Sequence, residues 1–268
     1  MPGILLESSF MAESSPLTLA DRGVLVTGAS SGIGRAIALA MARAGAHVAI
    51  TYRSNRDGAD AVARDIESLG RRACVQQLDL ADAPAIERIA PTVRGALGRL
   101  DVWINNAGAD ILTGPGAELS TAQKLDLLLA VDLRGTILAS WAAARFFEQQ
   151  EDGGAIINMS WDHVASGMPG TNPQMFAAVK GGVAAFSRGL ARSVAPRVRV
   201  NVIAPGWIAT SFGEGLDTEA YRSVADSTPL RRWGTPDDVA GAAVFLASPA
   251  AGFITGQTIN IGGGVVMS

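Results

Sequence analysis

The chain has 268 residues, 48% of them hydrophobic and 18% charged, with a formal net charge of −3; this suits one large α/β domain with a sizeable core. Such a charge provides no polybasic face, so neither nucleic acid nor an anionic membrane is expected as a partner. The single cysteine, Cys74, excludes an intrachain disulfide and a cysteine-based zinc site, and with only His47 and His163 as histidines no metal centre is expected.

Residues 1–18 read as a flexible leader. Their apolar pieces, Ile4 to Leu6 with Phe10 and Met11, lack the cationic start and continuous apolar core of a signal peptide. No segment is expected to span a bilayer, and the setting is expected to be cytoplasmic. Residues 19–268 read as one domain, without repeat or linker.

Val24 to Val26 form a short apolar run suited to a strand buried on both faces. A glycine turn follows, and then Ile33, Ile37, Ala40, Met41 and Ala44 recur at helical spacing until Gly45. The same reading gives strands at 46–52, 73–78, 100–104, 155–159, 197–203 and 257–261, and helices at 57–69, 84–97, 121–149 and 174–194. Strands alternating with helices imply βαβ units. The fold class expected is α/β, a Rossmann-type doubly wound parallel sheet of about seven strands with helices on both faces.

The turn after the first strand, Gly28-Ala29-Ser30-Ser31-Gly32-Ile33-Gly34, departs from the Gly-x-Gly-x-x-Gly dinucleotide spacing. Its physics is the same: glycines let backbone N–H groups approach a pyrophosphate, and the helix N-terminus adds its positive end. The second strand ends in Tyr52-Arg53-Ser54-Asn55, with no Asp or Glu to bind a ribose diol. An arginine there accommodates a 2′-phosphate, which favours NADP(H) over NAD(H).

With these pieces placed, the chain resembles the short-chain dehydrogenase/reductase family from about Leu19 onward. The residues carrying the resemblance lie in family order: Thr27 to Gly34, Asp79-Leu80, Asn105-Asn106-Ala107-Gly108, Arg199-Val200-Asn201, Pro205 to Thr210, Arg232 to Ala240, and Ile254 to Asn260. They are most similar to the 3-oxoacyl-carrier-protein reductase and glucose dehydrogenase type. The resemblance implies that Gly28, Ser30, Ser31, Gly32, Ile33 and Gly34 hold phosphates, and that Arg53 and Ser54 hold the 2′-phosphate. It places Asp79 and Leu80 at the adenine, and Asn106, Ala107 and Gly108 along the ribose. Pro205, Gly206, Ile208 and Thr210 would flank the nicotinamide, and Lys180 would bind its ribose.

The catalytic pattern departs from that family. Its Tyr-x-x-x-Lys appears here as Phe176-Ala177-Ala178-Val179-Lys180, and the chain's two tyrosines, Tyr52 and Tyr221, lie elsewhere. The family's serine falls at His163 when counted back from the tyrosine, or near Ser160 or Trp161 when aligned from the preceding strand. The family's helix asparagine appears as Asp132. A positioned general acid contributes about 10²- to 10⁴-fold in rate, so without its tyrosine the pocket needs another donor or another purpose. Ser160, Asp162 and His163 are the candidates, His163 foremost, oriented by Asp162 or Asp132. An ion pair from Asp132 to Lys180, direct or through water, is expected.

Residues 207–233, with Phe212, Leu216 and Tyr221, correspond to a substrate cover whose apolar content suits a hydrophobic or aromatic small molecule. The last strand with Gly262-Gly263-Gly264 implies a homo-oligomer, a tetramer in the family pattern. Two functions fit: an NADP(H)-dependent oxidoreductase with a substitute donor, or a dinucleotide-binding sensor or subunit without catalysis. Non-redox chemistry in the same pocket is the third.

Overall fold

A computed structural model describes residues 17–210 and 218–267. Most of the expected leader, together with Phe212 and Leu216, lies outside the described residues. Seven parallel strands form one sheet in the order β3-β2-β1-β4-β5-β6-β7. They are β1 (Gly23–Val26), β2 (His47–Tyr52), β3 (Ala73–Gln77), β4 (Val102–Asn105), β5 (Gly154–Met159), β6 (Val198–Pro205) and β7 (Thr258–Ile261). The order reverses between β1 and β4, which opens a crevice at the strands' C-terminal ends.

Because successive strand residues face opposite sides, each strand feeds two cores. Val24, Val26, Val48, Ile50 and Ile104 face α1 (Gly32–Arg43) and α2 (Arg56–Ser68). Leu25, Ala49, Trp103 and Ile156 face α3 (Ala83–Leu97) and the long helices of the opposite layer. A short α4 (Gly114–Ala117) precedes α5 (Thr121–Leu128); α6 (Thr136–Glu148), α7 (Thr171–Val194), α8 (Thr218–Ser227) and α9 (Pro236–Ala247) follow.

Several expectations shift. The single helix expected over 121–149 is interrupted by a π-helical segment, Leu129–Gly135, between α5 and α6. The widened turn carries Asp132, which is 1% exposed; π segments of this kind mark functional sites. The expectation that no segment could span a bilayer is also corrected. Thr121–Glu148 has the length and apolar content, yet more than half of its most apolar window is buried in this domain, so its apolar face is accounted for by the core.

Helix α7 begins at Thr171 rather than at the expected 174, because Pro173 sits in its first turn, where a missing N–H costs nothing. Strand β6 runs on to Pro205, and α4, α8 and α9 were not anticipated. Helix α9 packs along α1 and is apolar nearly all round after its Thr235–Asp238 capping box, so it shows no helical period in the sequence.

A buried polar chain fixes the opposite layer to the sheet. The indole N–H of Trp103 donates to Asn105, and the Asn105 amide donates to Ser140 and to Asn158 at 3.0 and 2.8 Å. The Asn158 amide then donates to Ser187 on α7 at 2.9 Å. Unpaired, each of these groups would cost about 1–3 kcal/mol. Paired, they set the height of α7, and with it Phe176 and Lys180, against β5.

Candidate active site

The crevice between β1 and β4 is assembled around Thr27. Its hydroxyl donates to the Ile104 carbonyl and accepts from the backbone N–H groups of Asn106 and Ala107, both at 3.0 Å. The Asn106 amide returns bonds to the Thr27 and Gly28 carbonyls at 3.0 and 3.1 Å. Thr51 on β2 accepts from the Gly28 N–H at 3.2 Å. Gly28 itself has φ +64°, and a Cβ there would stand 2.8 Å from the Ala107 Cα, so only glycine fits this turn.

The turn delivers the chain to α1 at an open N-terminus. Ser31, the N-cap residue, makes no side-chain cap, and the first turn holds no acidic residue. Gly32 has φ +54°, and a Cβ there would meet only the Thr210 methyl, at 3.9 Å. The unpaired N–H groups of Ser31, Gly32 and Ile33 therefore front a space fit for an anion. Gly34 backs onto the Asn106 amide, and the Ser30 carbonyl lies against Gly58 in the first turn of α2. Arg53 and Ser54, exposed at the end of β2, thus stand beside the same turn. Asp79 is exposed and accepts from the Ala81 N–H at 2.9 Å, while Leu80 is buried against Gly135.

On the other side of the crevice, Lys180 and Asp132 form a buried pair. Lys180 Nζ lies 2.8 Å from Asp132 Oδ2, with the two side chains 7% and 1% exposed. The contact is an ion pair off the hydrogen-bonding direction, so Oδ2 has no directional partner. Asp132 Oδ1 accepts from the Ala109 N–H at 2.7 Å, and Gly108 leaves room for Oδ2 directly beneath it. The expected pair is therefore direct. Asp132 does not reach His163.

His163 is oriented by Asp162 alone. Both lie on a one-turn 3₁₀ segment, Asp162–Val164, after β5, and His163 Nδ1 is 2.6 Å from Asp162 Oδ1. The Asp162 side chain is fully buried, and its Oδ2, without a hydrogen-bond partner, is wedged where a Cβ on Gly206 or Gly262 would stand. Burial pushes the Asp162 carboxyl above its ordinary value, opposed by the hydrogen bond to His163. Ser160 donates its hydroxyl proton to the Lys180 carbonyl at 2.9 Å, which ties β5 to α7.

Phe176 stands on α7 one turn before Lys180, whose Nζ is 5.4 Å from the ring centre. Trp161 meets Phe176 edge-on at 5.4 Å and stacks on His163 at 4.9 Å. Trp207 meets His163 edge-on at 6.1 Å. Pro205 and Gly206 close the end of β6, the Gly206 N–H donating to Ile261, and Ile208 is buried beside Gly234. Sequence reasoning passed over Thr51, and it named Thr27, Trp161 and Gly262 without the roles they take here. Thr27 is named as part of the glycine motif, but its bonds to the β4 end are not readable from it. Gly262 matters only through its approach to Asp162.

This geometry defines a dinucleotide-binding α/β protein with a second, polar and aromatic wall over the crevice. Comparisons with known proteins agree. Residues 28–266 match the family described as enoyl-(acyl carrier protein) reductase. A 3-oxoacyl-[acyl-carrier-protein] reductase from Synechocystis is 38% identical over 91% of this chain and 96% of its own. Among solved structures, a putative short-chain alcohol dehydrogenase from Sinorhizobium meliloti 1021 is 37% identical with a TM-score of 0.84, covering 93% of this chain and 98% of its own. A 7α-hydroxysteroid dehydrogenase complexed with NADH and 7-oxo glycochenodeoxycholic acid is 30% identical with a TM-score of 0.85, covering 96% and 99%. The chain belongs to the short-chain dehydrogenase/reductase family, whose members are oxidoreductases built on nicotinamide dinucleotides.

Two outcomes follow from the buried charges. Lys180→Met strands Asp132 and lowers stability by about 3–5 kcal/mol in chemical denaturation, and adding Asp132→Asn recovers most of that loss; equal stability of the single and double variants would contradict the pairing. For Asp162, a carboxyl raised by burial is favourable when protonated, and its contribution is lost as pH rises from the unfolded value of 3.8 through the raised folded one. Asp162→Asn therefore gains melting temperature relative to the parent chain as pH is raised from 4 to 8. A constant difference would contradict that burial cost.

Proposed function

We propose that this protein is an NADP(H)-dependent oxidoreductase acting on a carbonyl or alcohol, with His163 in place of the tyrosine proton donor. The observation that carries the reading is the buried Asp162–His163 pair, linked to Phe176 through the Trp161 ring that touches both His163 and Phe176. Asp162 accepts from Nδ1 and so fixes the imidazole orientation, leaving Nε2 as the nitrogen free to exchange a proton. Of the other candidates, Ser160 has its proton engaged by the Lys180 carbonyl, and Asp162 Oδ2 is turned against Gly206 and Gly262.

The residues present fit the dinucleotide. The open α1 N-terminus and its glycine turn would hold the pyrophosphate, and Arg53 with Ser54 the 2′-phosphate. Asp79 and Leu80 would border the adenine, Asn106, Ala107 and Gly108 the ribose, and Pro205, Gly206, Ile208 and Thr210 the nicotinamide. When bound, the reduced nicotinamide supplies a hydride to a carbonyl carbon. Lys180, paired with Asp132 at 2.8 Å, would donate to the ribose hydroxyls. His163 would pass its proton to the developing alkoxide, while Trp161, Phe176 and Trp207 keep water away and offer an apolar seat to the substrate.

Phe176 also supports a second reading, a member that binds dinucleotide without turning it over. Edge strand β7 and the exposed Phe253 and Trp141 support assembly into a homo-oligomer, a tetramer in the family pattern.

NADPH consumption against a carbonyl panel tests both readings. Activity in the parent chain that falls about 10²-fold or more in His163→Ala, with NADPH affinity reduced about tenfold or more in Arg53→Ala, is the expected result. Tight NADPH binding with turnover appearing only in Phe176→Tyr would replace the enzyme with the sensor, and absence of NADPH binding would refute both.

A further inference from the structure

Carbonyl reduction makes an alkoxide and must be given a proton, yet the side chain one turn before Lys180, 5.4 Å from its ammonium, is a phenyl ring. A substrate that already carries the positive charge has no such requirement. We propose that this pocket also reduces cationic C=N groups, the iminium ions of aromatic or apolar cyclic amines; the inference rests on the dinucleotide-binding reading above.

Three observations point to a cation. The wall is aromatic without interruption: Phe176, Trp161, His163 and Trp207 meet in turn at 5.4, 4.9 and 6.1 Å, and Trp207 continues to Trp233 at 5.7 Å and then to Tyr221 at 4.7 Å. Aromatic faces attract cations and shed no hydration to do so. The Phe176 ring already lies 5.4 Å from the Lys180 ammonium, so this wall accepts a neighbouring positive charge.

The second observation is the charge count. Lys180 is matched by Asp132 at 2.8 Å. Asp162 remains, 3% exposed, with one oxygen lacking any hydrogen-bond partner and the other on His163. Beyond the Lys180–Asp132 pair, the pocket's buried groups thus include one further carboxyl with an unpartnered oxygen, whose ionised form a bound cation would favour.

The third is the missing hydroxyl. For an iminium ion the hydride, with its electron pair, leaves C4 of the reduced nicotinamide and bonds to the iminium carbon. The C=N π pair becomes the nitrogen lone pair, giving a neutral amine and the oxidised pyridinium. One positive charge enters on the substrate and one leaves on the cofactor, and no proton is transferred. Phe176 is no handicap in that step. Its ring and that of Trp161 supply what the step does need, aromatic surroundings that tolerate the incoming charge.

The test pairs 2-methyl-3,4-dihydroisoquinolinium, a permanently charged iminium, with 1-tetralone, a neutral bicyclic ketone of the same size. The expected result is NADPH oxidation with the iminium at a kcat/KM about tenfold or more above that for the ketone, falling at least several-fold in Trp207→Leu. A readout without turnover accompanies it. Tryptophan fluorescence of the NADPH complex is titrated with N,N-dimethyl-tetrahydroisoquinolinium, which cannot be reduced, and with neutral 1-tetralol. The cation should bind about tenfold more tightly, and Asp162→Asn should remove that preference. NADPH binding without preference for the cation, or an iminium left unreduced while the ketone turns over, would overturn the inference and leave the oxidoreductase reading standing. Failure of NADP⁺ and NADPH to bind would overturn both together.

Discussion

The whole site depends on one constraint: the turn leaving β1 has to pass close to β4 and still present bare N–H groups to the crevice. Thr27 and Asn106 meet that demand by bonding the two strand ends to each other, and Gly28 meets it by taking a left-handed conformation against Ala107. Neighbouring strand ends are separated by one sheet spacing, so the turn has little room to relax. What is left open is the helix N-terminus, with its positive dipole and uncapped donors. A charged carrier in the crevice complements this end of the fold.

The opposite wall is set by a different logic. Two carboxylates are buried there, and each is made tolerable by a different device. Asp132 enters on a π-helical turn and is met by Lys180, while Asp162 is inserted between two glycines and bonded to His163. A buried carboxylate without a partner would shed its charge or destabilise the fold. The histidine of the second pair in turn stacks on Trp161 and meets Trp207 edge-on. Phenylalanine at position 176 meets both sides of this wall, lying 5.4 Å from the Lys180 ammonium and edge-on to the Trp161 ring that stacks on His163.

Much of this was legible in the sequence because it is local. The run from Thr27 to Gly34 holds strand end, turn and helix start within one stretch, so its residue types announce its conformation. Asp132 and Lys180 were readable as partners because their types demand each other and the pattern set both on helices. The π widening was hidden, since it changes backbone register without changing composition. Helix α9 was hidden because it is wedged against α1 and the sheet and has no polar stripe to reveal a period. The aromatic wall and the seat of Asp162 were hidden for a topological reason: Trp161, Phe176, Trp207, Gly206 and Gly262 come from separate strand ends and helices, and only the strand order brings them together.

A crystal structure of the protein grown with NADPH tests the central claim most directly. The account predicts the pyrophosphate on the N–H groups of Ser31, Gly32 and Ile33, the 2′-phosphate at Arg53, and the nicotinamide between Gly108 and Gly206 with His163 facing the open side of the ring. A cofactor bound elsewhere, or a nicotinamide whose reactive face is turned from His163 toward the sheet, would contradict it.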